Sequence, residues 1–448
     1  MDVQAFLEAH AKLAEKSSTI DPELHSRYNT KRGLRNDNGT GVLIGLTEIG
    51  EVHGYVVDDQ ERVPTEGRLS YRGIDVAEIV KGFQVDHRFG FEEVAYLLLF
   101  GSLPKENDLA EFRLLLRSKR ALPEGFMEDM ILSAPSKDIM NKLGRSVLAA
   151  YSYDETPEDP SIANVLRQLI DMIARFPTFV AYGYQAKRHY YDGESLFIHT
   201  PDRELTTSET VLQLIRPDKQ FTPLEAETLD LALVLHAEHG GGNNSAFTIH
   251  VVSSADTDTY SAVAAGVGSL KGAKHGGAAQ RVVSMIDDIK AHVSDWGNTS
   301  RLTDYLVRIL RKDAYDRSGL VYGIGHAVYT KSDPRAVLLH QKARDLAAEK
   351  NREAELELYE NIARITPLLF QDEKHTDRVI SPNVDFFSGF VYRMLNIPEE
   401  LFTPLFAVAR IAGWSAHRLE EIVSGGKIIR PAYKNVLGRI PYVPMTDR

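Results

Sequence analysis

The chain has 448 residues, 43% of them hydrophobic and 26% charged, and this length suggests two domains or one large domain with an insertion. Its formal net charge of −11 makes it a poor general binder of nucleic acid or anionic membranes, and no apolar run approaches the roughly 18 residues that a membrane-spanning helix needs. The sequence contains no cysteine, which excludes disulfides, thiolate metal sites and a cysteine nucleophile.

The first 65 residues differ in character from the rest of the chain. The N-terminal sequence carries acidic residues and has no apolar segment with a cleavage site, so we expect a cytoplasmic protein. Apolar residues at helical spacing predict an amphipathic helix over residues 2–16. Residues 26–70 are rich in Gly, Asn and Asp, and we expect loops with a few short strands there, including 42–44 and 52–57.

From Gly73 onward the pattern is almost entirely helical, so the predicted fold class is mainly α. An apolar helix over residues 91–100 ends at Gly101, and Pro104 follows it. Helical patterns also cover residues 113–122, 140–151, 162–187, 225–236, 260–270, 280–292, 302–312, 336–350, 353–371, 386–395 and 404–423.

The first polar cluster follows an apolar helix, at residues 235–245, Leu-His-Ala-Glu-His-Gly-Gly-Gly-Asn-Asn-Ser. One interpretation is a helix end with a glycine cap. A metal site on His236 and His239 is disfavoured, because the zinc-protease helix needs histidines four residues apart and the glycines break the helix. A third interpretation is a pocket floor, where histidine and exposed backbone N–H groups bind an anion.

The second cluster, residues 272–278, has the sequence Gly-Ala-Lys-His-Gly-Gly-Ala and lies between two predicted helices. It is either an exposed turn or a ligand site. At a helix start, His275 would lie in the positive end of the helix dipole, which lowers its pKa and favours the neutral imidazole. A neutral imidazole N–H can donate to a carbonyl oxygen that becomes enolate-like.

The third cluster is residues 322–335, Tyr-Gly-Ile-Gly-His-Ala-Val-Tyr-Thr-Lys-Ser-Asp-Pro-Arg. It lacks the third glycine and the βαβ context of a dinucleotide-binding motif. It is therefore either a glycine-rich connector or a site that presents His326 on a turn and Arg335 at a helix start, where an arginine can pair with a carboxylate.

Three later charged residues are further candidates for a functional site. Asp385 precedes an apolar helix, where it is either an N-cap or a base whose pKa is raised by apolar neighbours. Arg410 interrupts a strongly apolar helix, so it needs an anionic partner, either an internal acid or a ligand. Arg430 lies on an extended strip beyond the last long helix.

Taken in order, these segments resemble the motifs of the citrate synthase family, and the resemblance covers roughly residues 66–436. The matching segments are Tyr71-Arg72-Gly73 and residues 91–101, 235–245, 272–278, 323–335, 383–389, 402–414 and 429–431. The chain departs from the family pattern at Gly240, Ala273, Lys274, Ala279 and Thr330, which bear on CoA contacts and substrate preference. The first 65 residues match no pattern of the family.

The resemblance implies a condensation of acetyl-CoA with oxaloacetate. Asp385 would remove a methyl proton from acetyl-CoA, His275 would donate to the thioester oxygen, and His326 to the oxaloacetate ketone. The implied carboxylate-binding residues are His239, Arg335, Arg410 and Arg430, and the implied CoA-binding residues are Gly323, Gly325, Lys331 and Arg378. Hydrolysis of citryl-CoA would follow. The resemblance implies no metal and no cofactor, since the CoA thioester is a substrate.

The resemblance also implies a domain architecture and an assembly, and it leaves two alternative functions open. We expect an N-terminal extension at 1–65, a large helical domain at 66–278 and 389–448, an inserted small helical domain at 279–388, and an active site in the cleft between the domains. The expected assembly is a homodimer in which Arg430 reaches the partner's site. A 2-methylcitrate synthase using propionyl-CoA would keep the same residues, because one methylene is discriminated by only about 1–3 kcal/mol. A non-catalytic sensor would be expected to lack the base or the paired histidines.

Overall fold

A computed structural model describes residues 3–36, 38–58, 61–424 and 426–448 and has a mainly helical fold, as predicted. The helices are α1 Val3–Ser18, α2 Glu23–Arg27, α3 Val76–Val85, α4 Phe91–Phe100, α5 Glu106–Lys119, α6 Ile139–Ala150, α7 Ile162–Asp192, α8 Thr207–Ile215, α9 Pro223–His236, α10 Asn244–Ser253, α11 Thr259–Lys271, α12 Ala278–His292, α13 Thr299–Leu310, α14 Pro334–Glu349, α15 Glu353–Lys374, α16 Val384–Met394 and α17 Phe402–Val423. The strands are β1 Gly50–Asp58, β2 Glu61–Tyr71 and β3 Ile74–Asp75, which form one antiparallel sheet in the order β1-β2-β3.

The predicted helices are present, and helices α2, α3, α8 and α10 occur where no helix was predicted. The predicted stop of α4 is confirmed: Gly101 has φ +82° and its N–H donates to Leu97 O at 2.8 Å. Helix α10 was missed because it begins within the glycine-rich cluster, where Asn243 caps it by accepting a hydrogen bond from Ser245 N.

The N-terminal region contains one of its two predicted strands and lacks the other. The predicted helix over residues 2–16 is present as α1, although residue 2 lies outside the described part, and its apolar residues Phe6 and Leu7 are exposed. Residues 42–44 form no strand, so that prediction is wrong. The predicted strand at 52–57 lies within β1, which pairs with β2 as a long hairpin.

The core is built around two long helices. Helix α7 is buried over most of its length and continues through Pro177, and α17 is buried from Phe402 to Arg418 except at Phe406, which is partly buried. Helix α17 packs against α4, α7, α9, α10 and α11. Among the described residues, no helix combines the length and the apolar character needed to span a membrane.

Helices α12 to α16 pack mainly against one another, with α16 contacting both α12 and α14. The predicted small domain, 279–388, begins at the start of α12 and ends inside the continuous helix α16. The division of the chain at these two positions stays a prediction.

Candidate active site

The segments that carry His326 and Asp385 are joined by backbone hydrogen bonds. Gly325 N donates to Ser381 O at 2.8 Å, and Asn383 N donates to Gly323 O at 2.9 Å. Gly323 has φ +80°, and a Cβ there would lie 2.8 Å from the Phe386 ring, so only glycine fits. Because each segment fixes the other, the two predicted catalytic side chains have a defined relative position.

The contacts of His326 define its tautomer. Its Nδ1 accepts hydrogen bonds from Val328 N at 3.0 Å and Tyr329 N at 3.1 Å. A nitrogen that accepts carries no proton, so the neutral ring has its proton on Nε2. Burial, and then Arg335, lowers the pKa of His326 to about 4. The ring is therefore a neutral donor through Nε2–H.

Asp385 is not the helix cap. Asn383 is the N-cap of α16 and accepts from Asp385 N at 3.0 Å, so the N-cap interpretation of Asp385 is wrong. The aspartate lies one residue inside the helix, which leaves its carboxylate available for other chemistry. Burial raises its pKa to about 6, and Arg335 opposes this shift. A carboxylate with such a pKa is a stronger base than an ordinary aspartate.

His275 lies in the turn before α12, two residues ahead of the N-cap Gly277, and is partly buried. Its Nε2 is 3.0 Å from Ser245 Oγ, which also accepts a hydrogen bond from Trp414 Nε1 at 3.0 Å. Burial, and then Arg410, lowers its pKa to about 4. The ring is neutral, as expected from the sequence, but burial rather than the helix dipole is the main cause.

His236 and His239 lie at the end of α9. The helix ends at His236, the C-cap is Ala237, and the first glycine with positive φ is Gly240, so the glycine-cap interpretation is wrong. Burial and Arg335 hold the pKa of both histidines well below the usual value. The His239 ring lies 5.2 Å from the His326 ring, and its buried Nε2 has no hydrogen-bond partner in the part of the chain that the structure describes.

Arg410 is the buried cation of this site. Its side chain is only 1% exposed, and its Nε donates to His236 O at 2.7 Å. Both Nη atoms are buried and have no hydrogen-bond partner among the described residues. Burial lowers its pKa to about 10, and Glu238 opposes this. An internal carboxylate does not satisfy the Nη atoms, so their geometry fits an anionic ligand.

Arg335 lies in the first turn of α14, as predicted, but its side chain forms an ion pair with an internal acid, Asp333. Its Nε and Nη2 donate to the two carboxylate oxygens of Asp333 at 3.0 and 2.8 Å. Both side chains are buried. Arg335 affects the pKa of His239, His326 and Asp385, so its positive charge acts at the centre of the site.

Two of the four predicted CoA-binding residues line a cavity next to His326. The cavity has a volume of about 370 Å³ and its walls include Gly325, His326, Ala327 and Arg378. Gly323 is packed internally against Phe386, and Lys331 is exposed and lies outside the cavity lining.

The structure does not bring Arg430 to the site of its own chain. Arg430 is exposed, and the preceding residue Ile429 donates its N–H to Ser254 Oγ at 3.1 Å. Ser254 follows the far end of α10 from Ser245, roughly 14 Å away at 1.5 Å per residue. A role for Arg430 in a neighbouring copy's site stays a prediction.

A buried ion pair behind the site was not found from the sequence. Glu238 accepts hydrogen bonds from Gly240 N and from His417 Nε2, and the His417 Nδ1 lies 3.0 Å from His250 Nε2. Burial alone would lower the pKa of His417. The negative charge of Glu238 opposes this effect, and the pKa is raised to about 9. His250, His417 and Glu420 lie close enough to share a cation, but a protonated His417 has no free nitrogen for a metal.

Other supporting residues were also missed. Ser245 contacts His275 and Trp414 donates to Ser245, and both contacts join residues far apart in sequence. Asp333 holds Arg335 from two residues away. Local signals were available for Asn383 and Asp333, since Asn and Asp directly before a helix are leading N-cap choices.

Comparison with known proteins shows which family the chain is similar to. The family model for the citrate synthase C-terminal domain matches residues 38–432. The citrate synthase of Synechocystis sp. is 33% identical over 86% of this chain and 89% of its own length. The 2-methylcitrate synthase of Shewanella oneidensis is 32% identical over 85% of this chain and 92% of its own.

A solved structure shares the fold. It is the citrate synthase of Thermoplasma acidophilum in a ternary complex with carboxymethyl coenzyme A and oxaloacetate, with a TM-score of 0.75 and 24% identity over 93% of this chain and 99% of that chain. The family model covers most of the sequence, and relatives above 30% identity span nearly all of it. The chain therefore belongs to the citrate synthase family.

Proposed function

We propose that this protein is a citrate synthase that condenses acetyl-CoA with oxaloacetate and hydrolyses the product to citrate and CoA. The observation that carries the proposal is the buried guanidinium of Arg410. Its two Nη atoms have no hydrogen-bond partner among residues 3–36, 38–58, 61–424 and 426–448, and the rings of His236 and His239 near it are neutral. A desolvated cation of this kind is costly without an anion. A dicarboxylate such as oxaloacetate supplies that anion.

The first step is removal of a proton from the methyl group of acetyl-CoA. Asp385 takes the proton, and its pKa of about 6 makes it a suitable base near neutral pH. The negative charge moves to the thioester oxygen, which accepts a hydrogen bond from neutral His275. For His275 Nδ1–H to donate, Nε2 must accept, and this requires the Ser245 hydroxyl, which lies 3.0 Å from Nε2 and 2.9 Å from Asn243 Oδ1, to turn its proton from Asn243 to Nε2.

The second step forms the carbon–carbon bond. The enolate carbon attacks the ketone carbon of oxaloacetate, and the ketone oxygen takes the proton of His326 Nε2–H. The ring regains a proton when hydrolysis of citryl-CoA to a carboxylate and a thiol releases one. His239, Arg335 and Arg410 hold the carboxylates during this step. Water then attacks the thioester of citryl-CoA, the C–S bond breaks, and CoA leaves as the thiol.

Steady-state kinetics with oxaloacetate and either acetyl-CoA or propionyl-CoA test the proposal. The protein has no cysteine, so a thiol reagent reports released CoA without background from the protein. We expect the higher kcat/KM with acetyl-CoA. A higher kcat/KM with propionyl-CoA would instead make the protein a 2-methylcitrate synthase, and no CoA release with either thioester would leave a non-catalytic binding role.

The substrates and the assembly follow from the same proposal. The relative from Thermoplasma acidophilum binds a CoA analogue and oxaloacetate, which supports the same two ligand classes for this chain. Exposed apolar residues along the C-terminal strip, including Ile428, Tyr433, Leu437 and Ile440, support its docking on a second copy in a homodimer. A role in the tricarboxylic acid cycle and a cytoplasmic location stay predictions.

A further inference from the structure

The hairpin of β1 and β2 lies directly against the segment that follows His326. Thr330 Oγ1 donates a hydrogen bond to Gly54 O at 3.0 Å, and Gly67 N donates to Ser332 Oγ at 3.1 Å. Residues 50–65 of this hairpin carry none of the motifs by which the sequence resembles the family, although the family model spans them, and Thr330 is one of the positions where the chain departs from the family pattern. The hairpin and this departing residue meet in the structure.

Two side chains extend the same contact at the edges. Arg62 Nη2 donates to Ala327 O at 3.2 Å, and the Arg62 guanidinium lies 3.9 Å from the centre of the Tyr55 ring. Ser332 Oγ donates to the carboxylate of Glu66. The hairpin thus contacts the segment 327–332 at its start, middle and end.

At the middle of this contact the two backbones are too close for side chains. A Cβ on Gly54 would lie 2.7 Å from Val328 O and 2.9 Å from Tyr329 Cα. A Cβ on Gly67 would lie 2.8 Å from Cδ1 of Tyr329 and would also collide with the Ser332 carbonyl. Glycine within a strand commonly marks such an approach of another backbone.

The strand pairing is irregular at the same place. His53 pairs with Arg68 and Tyr55 pairs with Pro64, so three residues of β2 face Gly54 alone. A bulge of this kind bends the strand and redirects it. Here it turns the backbone of the hairpin toward residues 328–330.

The contacted residues are the ones that hold His326. Val328 N and Tyr329 N donate to His326 Nδ1 and so fix the tautomer and direction of the ring. Gly54 packs on Val328 and Tyr329, and it accepts from Thr330 beside them. A shift of this backbone would move the Nε2–H of His326.

We propose that the β1–β2 hairpin is a positioning element for the ketone donor, in which Gly54 and Thr330 hold residues 328–330 so that His326 aims Nε2–H at the ketone of oxaloacetate. The inference rests on the proposed function, because it assumes that His326 donates to that ketone. Gly54 and Thr330 are positioning residues that act through His326.

The test uses Gly54→Ala and the milder Thr330→Val, with Gly82→Ala as the matched control. A Cβ on Gly82 would have no atom within 4 Å, and alanine favours a helix interior, so this variant should match the wild type. We expect Gly54→Ala to lower kcat about tenfold to a hundredfold, since displacement by about 1 Å can cost that much. Thr330→Val should lower kcat about fivefold, which corresponds to one lost hydrogen bond.

The decisive readout is the infrared stretch of the oxaloacetate ketone in the bound state. Polarisation by His326 lowers this frequency in the wild-type protein, and both variants should move it back toward the value in water while oxaloacetate affinity changes less than kcat. Normal kcat and an unchanged stretch in both variants would overturn the role of the hairpin. A wild-type protein that does not polarise the bound ketone would instead overturn the donor role of His326, and so the proposed mechanism itself.

Discussion

Glu238 and His417 form an ion pair in which neither side chain is exposed to solvent, with His417 Nε2 3.0 Å from Glu238 Oε1. Glu238 fills a slot that two glycines leave open: a Cβ on Gly50 would lie 2.8 Å from its Cγ, and a Cβ on Gly413 would collide with its carboxylate. Arg410, Gly413 and His417 share one face of α17, at helical spacing. Because Glu238 also accepts a hydrogen bond from Gly240 N, the ion pair supports the loop that carries His239.

The first prediction concerns the stability that this pair provides. The pKa of His417 is raised from 6.5 to about 9, so its contribution is complete below about pH 6.5 and is lost as pH rises through 9. The pKa of Glu238 is lowered from 4.5, so its contribution is present above about pH 4.5 and is lost at lower pH. Urea unfolding at fixed protein concentration should show the pair stabilising the protein between these limits.

His417→Ala should lower the free energy of unfolding at pH 7 by roughly 3–5 kcal/mol, because it leaves a buried carboxylate without its partner. Glu373→Gln is the control, because its partner Arg311 is mostly exposed and such pairs contribute about 0–1 kcal/mol. Equal effects of the two substitutions would show that burial of the Glu238–His417 pair has no energetic consequence.

The second prediction concerns the two carbonyl donors. His275→Ala and His326→Ala should each lower kcat by roughly 10²–10³, because each removes one preorganised donor to an oxygen that becomes negative. Oxaloacetate binding, measured by calorimetry, should weaken much less. Wild-type turnover in either variant would remove that histidine from the mechanism.

The third prediction concerns Ser245, which contacts His275 Nε2 at 3.0 Å. Ser245→Ala removes the hydroxyl that keeps the proton of His275 on Nδ1, so kcat should fall about tenfold while the KM for oxaloacetate changes little. Ser17→Ala is the control, because that hydroxyl bonds only within exposed helix α1. If Ser245 instead donates only to Asn243, the substitution will leave kcat unchanged.

The fourth prediction concerns Asp385. Asp385→Asn should keep the fold and oxaloacetate binding but lose nearly all condensation, because an amide has no useful basicity. It should also stop the exchange of acetyl-CoA methyl protons with solvent deuterium. In the wild type, kcat/KM should fall as pH decreases through about 6, where the carboxylate gains a proton.

The same pKa has a consequence for stability. A carboxyl group whose folded pKa is raised to about 6 from 3.8 destabilises the fold increasingly as pH rises through that interval. Asp385→Asn should therefore unfold at a higher urea concentration than the wild type at pH 7.5 and not at pH 3.5. An equal midpoint for both proteins at pH 7.5 would contradict the raised pKa.

The fifth prediction concerns Arg430, which is exposed and remote from the site of its own chain. Mixing inactive Arg430→Ala subunits with inactive Asp385→Ala subunits should restore activity, since some sites in a mixed dimer would have both residues intact. Heterodimers that form, as shown by native mass spectrometry, but remain inactive would exclude a shared site.

The sequence alone was enough to predict the candidate site residues and to locate the main helices. Histidine in a glycine-rich turn, aspartate at the start of an apolar helix and arginine within one are recognisable because residue type and spacing are local properties. The family followed from the order of these motifs along the chain. Helical periodicity predicted α7 and α17 because one turn of helix repeats within four residues.

The tertiary structure decided what state each of these residues is in. The contacts that set tautomer, charge and direction join residues far apart in sequence: Ser245 and His275 are 30 residues apart, Glu238 and His417 are 179 apart, and Gly54 and Thr330 are 276 apart. No local pattern encodes such pairs, because hydrogen-bond geometry depends on how packed backbones approach one another. Burial, which sets the pKa of Asp385 and the histidines, is likewise a property of the folded chain.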